Sequence, residues 1–199
     1  MEIPYLPYPK LRPIADDFLT KYHPSGQLPI PIEPIIDNRF AIDIVPTPGL
    51  HRAFDIDAFI TSDFSEIHVD EFVYESRPKR YRFSLAHELS HLLLHQDVFS
   101  QMQFSTVTEW RSAVKSVPDK EYGYLEFQAN SLAGLILVPP TELGELFRQA
   151  TARAKAAGIE LNDTSDAARE IIESYLSESF DVSTAVIHRR VEFDSLWDS

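Results

Sequence analysis

His87-Glu88-Leu89-Ser90-His91 is the stretch on which the reading of this chain turns. On an α-helix, residues four apart differ by about 40° in azimuth and about 6 Å in height, so two imidazoles so spaced can converge on one metal ion. His87 and His91 are therefore candidate zinc ligands. Glu88 stands one residue round the helix, too far to complete a tetrahedron with them but well placed to act on a water beside the metal. It is the candidate general base. The bland alternative is a pair of ordinary helix histidines satisfied by core carbonyls, and the flanking sequence weighs against it.

Upstream, Ser76-Arg77-Pro78 predicts an N-cap followed by a first-turn proline, and Arg80 to His95 contains no further Gly or Pro. Leu85, Leu89, Leu92 and Leu93 recur at helical spacing, which gives this helix a buried face. The preceding Glu66-Ile67-His68-Val69-Asp70 alternates like a strand. A strand feeding a buried helix suits a zincin.

Further out, Lys10 to Tyr22 predicts a short amphipathic helix, and the proline-rich stretch through Pro34 predicts a connecting arm. Phe40 to Val45, Asp57 to Thr61 and Glu66 to Asp70 predict three strands, the first two separated by Pro46-Thr47-Pro48-Gly49. Residues 96–118 read as irregular, with one helix around Thr108 to Lys115. Helices are then expected from Asp119 to Val138, Glu142 to Ala157, Ser165 to Ser179 and Ser183 to Phe193. The expected fold class is α+β and zincin-like: a small antiparallel or mixed three-stranded sheet packed on the motif helix, with a largely helical C-terminal half.

At 199 residues with 44% apolar content, the chain is expected to form one domain. Within it, 1–32 would be the N-terminal helix and arm, 33–140 the zinc-site core and 141–199 the C-terminal helices. A net charge of −13 argues against a sequence-independent grip on nucleic acid, because phosphates would be repelled. Such a surface would steer a basic protein instead. The N-terminus shows no cationic segment followed by an apolar stretch. The longest apolar run, Leu132 to Val138, stops at Pro139-Pro140, far short of the roughly 20 residues that span a bilayer. A soluble, cytoplasmic protein is expected, and the absence of cysteine fits that setting while excluding thiolate zinc sites.

Three arrangements commonly complete such a site. A histidine beyond a glycine turn is absent, since Leu92-Leu93-Leu94-His95 follows the motif. His95 lies eight residues from His87, about 12 Å along the same helix, and reads as a cap of the helix C-terminus. A cysteine ligand is excluded, which leaves a carboxylate on a later helix. On pattern, Glu126 leads, with Glu109 and Glu121 as rivals in less regular contexts. Ala129 and Ala133 would let its helix approach closely, and Asn130 could accept a hydrogen bond from a ligand imidazole.

Arg82-Phe-Ser-Leu-Ala-His87-Glu-Leu-Ser-His91-Leu-Leu-Leu-His95, followed by Glu126-Phe-Gln-Ala-Asn130-Ser-Leu-Ala-Gly-Leu-Ile-Leu-Val-Pro139, resembles the ImmA/IrrE family of metallo-endopeptidases. The resemblance extends to Ile3-Pro-Tyr-Leu, to Pro29-Ile-Pro-Ile-Glu33 and to Phe180-Asp-Val-Ser183 with Arg189 or Arg190 downstream, so it covers nearly the whole chain. It implies His87, His91 and Glu126 as zinc ligands and Glu88 as catalytic base. Ser90 stands where glycine is common, and Val138 where methionine is common. No segment reads as an added DNA-binding or sensor module, so the chain is expected to act as a catalytic module on its own.

The resemblance implies an intracellular zinc endopeptidase that cleaves a specific regulatory protein, such as a helix-turn-helix repressor or antitoxin encoded nearby. The alternative is a non-proteolytic binding partner, or a toxin component paired with such an antitoxin, in which zinc is structural. The substrate is expected to lie along Glu66 to Asp70 as an edge strand. Tyr122, Tyr124, His68 and His188 are candidates for oxyanion stabilisation. From the charge, this chain by itself is expected not to retain random-sequence duplex DNA in a gel-shift at physiological salt; retention at micromolar protein would overturn that expectation.

Overall fold

In the computed structural model, which describes residues 3–158 and 166–198, strands β1 (Asp43–Thr47), β2 (Ala58–Ile60) and β3 (Glu66–Asp70) form one mixed sheet. The order is β1-β3-β2, with β1 parallel and β2 antiparallel to β3. The fold is α+β and zincin-like: ten α-helices among the described residues accompany this sheet, and α3, α4 and α5 make its principal contacts. The first strand runs through Pro46 instead of stopping before it. Asp43 N–H reaches Ser65 C=O at 2.9 Å, so odd-numbered residues of β1 face β3 and Pro46 faces outward. Its missing N–H takes nothing from the ladder there.

The helices are α1 (Tyr8–Tyr22), α2 (Ile32–Arg39), α3 (Leu50–Phe54), α4 (Glu71–Ser76) and α5 (Pro78–Met102), then α6 (Val107–Lys115), α7 (Asp119–Leu137), α8 (Pro140–Ala156), α9 (Asp166–Phe180) and α10 (Thr184–Phe193). The expected arm ends earlier than Pro34, because α2 starts at Ile32 and Pro34 falls in its first turn, where the lost N–H has no intrahelical partner anyway. Ser76 ends α4 and caps nothing; Arg77 precedes α5 and Pro78 opens it. Asp70 does the capping one element earlier, accepting from Phe72 N–H and Val73 N–H. Ser165, the expected start of the penultimate helix, lies outside the described residues; the last helix, expected from Ser183, runs Thr184–Phe193 with Ser183 as its N-cap.

One apolar cluster runs from Tyr8 to Val191 and includes Leu85 and Leu89 of α5, Ile60 and Ile67 of the sheet, and Leu132 and Ile136 of α7. α5 and α7 make the most extensive contact between elements. The end of α7 is tied to the last helix by Arg190, which is 2% exposed and donates to Gly134 C=O at 2.9 Å, to Val138 C=O and to Asp194 Oδ2 at 2.7 Å. A Cβ at position 134 would stand 3.3 Å from Arg190 Cδ, so glycine makes room for the guanidinium there. Asp194 also meets Arg12 and the Tyr8 hydroxyl, which brings α1 into the same knot. No helix among the described residues is long and apolar enough to cross a membrane.

Arg190→Met takes its donors from the buried Gly134 and Val138 carbonyls and leaves Asp194 with Arg12 as its cation. Each unsatisfied buried group costs about 1–3 kcal/mol, so the urea-unfolding free energy is expected to fall by about 2 kcal/mol or more. A loss within error of zero would show that the knot is decorative.

Candidate metal centre

The i, i+4 spacing on α5 and the approach of α7 place His87, His91 and Glu126 together, with their ligand atoms all within 4.8 Å of one another. His87 Nε2 and His91 Nε2 are 3.1 Å apart. Glu126 Oε2 is 3.5 Å from the first, and its Oε1 is 3.8 Å from the second. Tetrahedral zinc with bonds of about 2.0–2.1 Å has ligand–ligand edges of about 3.3 Å, so the triangle has the right size and chemistry for that ion. Small residues flank the site on both helices: Ala86 and Ser90 on α5 and Ala129 and Ala133 on α7 are fully buried. Ser90 is accommodated in place of glycine because its hydroxyl donates to Ala86 C=O at 2.7 Å within its own helix.

A cavity of about 230 Å³ adjoins this group and is lined by all three residues together with Ala58, Glu88, Trp110 and Tyr122. Burial holds both imidazoles below their usual protonation range, most strongly His91, which favours the neutral ring that a metal requires. Asn130 lines the cavity with His87. Its Nδ2 donates to Glu126 C=O at 2.8 Å, leaving the side-chain oxygen available as an acceptor. Glu88 is 7% exposed, and its Oε2 accepts from Ile60 N–H at 2.9 Å. Burial first and the charge of Glu126 second push its carboxyl up to about 8, against the opposing pull of that N–H.

Of the four oxyanion candidates, only Tyr122 lines the cavity. Burial first and the charge of Glu126 second push its phenol well above the usual range, so it keeps its proton. Tyr124 packs on Tyr5, and His68 stacks on Phe59 between Thr47 and Glu66. His188 pairs with Glu173 and Glu192. Among the rival ligands, Glu109 closes a capping box with Thr106, and Glu121 stands outside the cluster. The first stretch of α5 does break at His95, where two helical stretches meet in a kink (φ −127°, ψ 19°), but the His95 ring caps no carbonyl there. Its ring is buried, 3.0 Å from His91 Nδ1 and 3.1 Å from Gln128 Oε1. The sequence offered one signal for this, since His95 repeats the four-residue step once more beyond His91. Nothing local marked Gln128 or Trp110.

Residues 54–192 match the sequence model of the peptidase M78 family, described as the IrrE N-terminal-like domain. The chain belongs to this family. The family is one of metallopeptidases, and the resemblance read from the paired motifs is thereby borne out. A solved structure described as a Mycobacterium tuberculosis transcriptional regulator superposes with a TM-score of 0.53 at 18% identity, covering 91% of this chain. This chain spans about half of that one, 46% of its length. No curated protein matches.

For an IrrE N-terminal-like site, the expected docking strand requires correction: β3 is the middle strand, paired on both sides, and has no free edge. Local alternation in a sequence carries no information about strand order. The edge beside the cavity is β2. Thr61 N–H and Asp57 C=O bond to β3, so by alternation Ala58 and Ile60 turn their peptide groups the other way, toward Glu88 and the cavity.

A carboxyl whose folded pKa is raised stabilises least when ionised. Its contribution is complete below the unfolded pKa near 4.5 and is lost as pH rises through about 8. In metal-free protein, Glu88→Gln is therefore expected to melt above wild type, with a gap that widens from pH 5 to pH 8. Thermal melts in chelator at both pH values measure it, and a gap that stays constant or narrows would contradict the burial of this carboxyl.

Proposed function

We propose that the chain is a zinc endopeptidase that cleaves a specific regulatory protein, a DNA-binding repressor or antitoxin encoded nearby, in the cytoplasm. The observation that carries this reading is the placement of Glu88: a buried carboxylate, one oxygen fixed by Ile60 N–H, beside a His-His-Glu group that faces a cavity. A structural site needs no such base and usually closes with four protein ligands.

His87, His91 and Glu126 would hold the ion, with Asn130 fixing the His87 ring. When bound, zinc supplies Lewis-acid polarisation of the scissile carbonyl and acidifies a water. Beside a cation the Glu88 carboxyl comes back down to its ionised form; it then takes the proton of that water on the oxygen that Ile60 leaves free and returns it to the leaving amine nitrogen. Tyr122 keeps its proton and donates toward the oxygen on which negative charge develops. The substrate extends along β2, where the Ala58 peptide group offers both a donor and an acceptor. The charge of −13 complements a basic DNA-binding partner, and the solved relative is described as a transcriptional regulator.

The test is co-expression with the regulator encoded beside it, comparing wild type, Glu88→Gln and Glu126→Ala. Wild type is expected to shorten the partner. Glu88→Gln should retain zinc and partner binding while cleavage falls by about 100-fold or more, and Glu126→Ala should lose tight zinc. A partner that stays intact with wild type and Glu88→Gln, yet is bound and functionally altered equally by both, would replace the peptidase with a binding protein.

A further inference from the structure

Behind the metal-facing edge of His91 runs a chain of three hydrogen bonds that ends at the N-terminal segment. His91 Nδ1 is 3.0 Å from His95 Nδ1. His95 Nε2 is 3.1 Å from Gln128 Oε1, and Gln128 Nε2 donates to Pro4 C=O at 2.9 Å. His91, His95 and Gln128 are each less than 5% exposed, so water does not compete for these bonds.

The direction of every bond is forced from the far end. A peptide oxygen can only accept, so Gln128 turns its NH₂ toward Pro4 and its oxygen toward His95. An amide oxygen also only accepts, so His95 carries its proton on Nε2. The Nδ1 of that neutral ring is then a lone pair, and the only way to satisfy it is for His91 to carry its proton on Nδ1. The lone pair of His91 is left on Nε2, the atom that faces His87 and Glu126. Flipping the Gln128 amide would set two oxygens against each other at the Pro4 end. Pro4 itself is held: Ile3 is buried against Val117 and Leu125, and Tyr5 packs on Tyr124 and Phe127.

We propose that His95 and Gln128 are positioning residues that hold His91 in its metal-binding tautomer, and that the segment before α1 sets this tautomer through the Pro4 carbonyl. The segment ahead of the first helix thereby belongs to the support of the metal centre. The inference rests on the metal reading of His87, His91 and Glu126, and its test separates the two.

Long-range ¹⁵N–¹H NMR of the imidazoles in metal-free full-length protein reads the tautomers directly. Wild type is expected to show His91 protonated on Nδ1 and His95 on Nε2, and Gln128→Leu to scramble both. Zinc competition against a chromogenic chelator is expected to show a loss of roughly 10–100-fold in affinity for His95→Leu, as for other groups that orient a ligand. His95→Asn places an amide oxygen near the lost Nδ1 and should recover most of that affinity. The double variant His95→Leu/Gln128→Leu should lose no more than His95→Leu, because Gln128 acts through His95. A wild-type His91 protonated on Nε2 overturns the proposal, as does unchanged zinc affinity in a folded His95→Leu protein. If wild type binds no zinc while the tautomers are as expected, the metal reading fails and the hydrogen-bonded chain stands.

Discussion

The contact between α5 and α7 is the constraint on which the rest depends. Two imidazoles on one helix define only a line; a metal needs a third group from elsewhere, and Glu126 arrives because α7 lies close along α5. Small residues accompany that contact, Ala86 and Ser90 on one helix and Ala129 and Ala133 on the other, all fully buried. A larger side chain at any of these positions would have to separate the helices or distort them. The same approach that brings Glu126 forward also brings Gln128, two residues further on, to His95. Metal-facing and rear supports of the histidine pair are therefore set by one packing event.

Much of this was legible in the sequence for a physical reason. Helical periodicity is local, so the four-residue step from His87 to His91 and the run of leucines identify the helix and its faces without any tertiary information. The later glutamate was reachable because small residues accompany it. What failed was what is not local. The place of β3 within the sheet is decided by its antiparallel return beside β2 and its parallel pairing with the distant β1, and nothing in Glu66–Asp70 records whether one or both of its edges are paired. His95 read as a cap because the helix was expected to stop there; the helix does break into two stretches at that residue, but the ring turns to His91 and Gln128, and partners on another helix are not recorded in the local sequence. Pro34 and Pro46 misled in the same way, since each lies where its missing N–H has no intramolecular partner to lose.

Electrostatics at the site follow from burial more than from any single pair. The imidazoles are held neutral and the Glu88 carboxyl is pushed upward by the same loss of water, so the cluster is ill at ease without a cation. The Ile60 N–H opposes this only in part. Tyr122 shares that environment and keeps its proton under any physiological condition. These groups gather where β2, α5 and α7 meet, which makes the base and the cluster parts of one junction.

Pro46 gives the small sheet a handedness toward visitors. A mixed sheet of three strands has two open flanks, and either could in principle recruit an extended peptide, including a strand from another copy of the chain. On the β1 flank, one outward peptide position has no hydrogen to offer, so a visiting strand would meet a gap in its ladder. On the β2 flank Ile60 N–H is engaged by Glu88, but the Ala58 peptide group keeps both its donor and its acceptor beside the cavity. An unwanted guest is discouraged on the side remote from the chemistry, and the side next to it stays open.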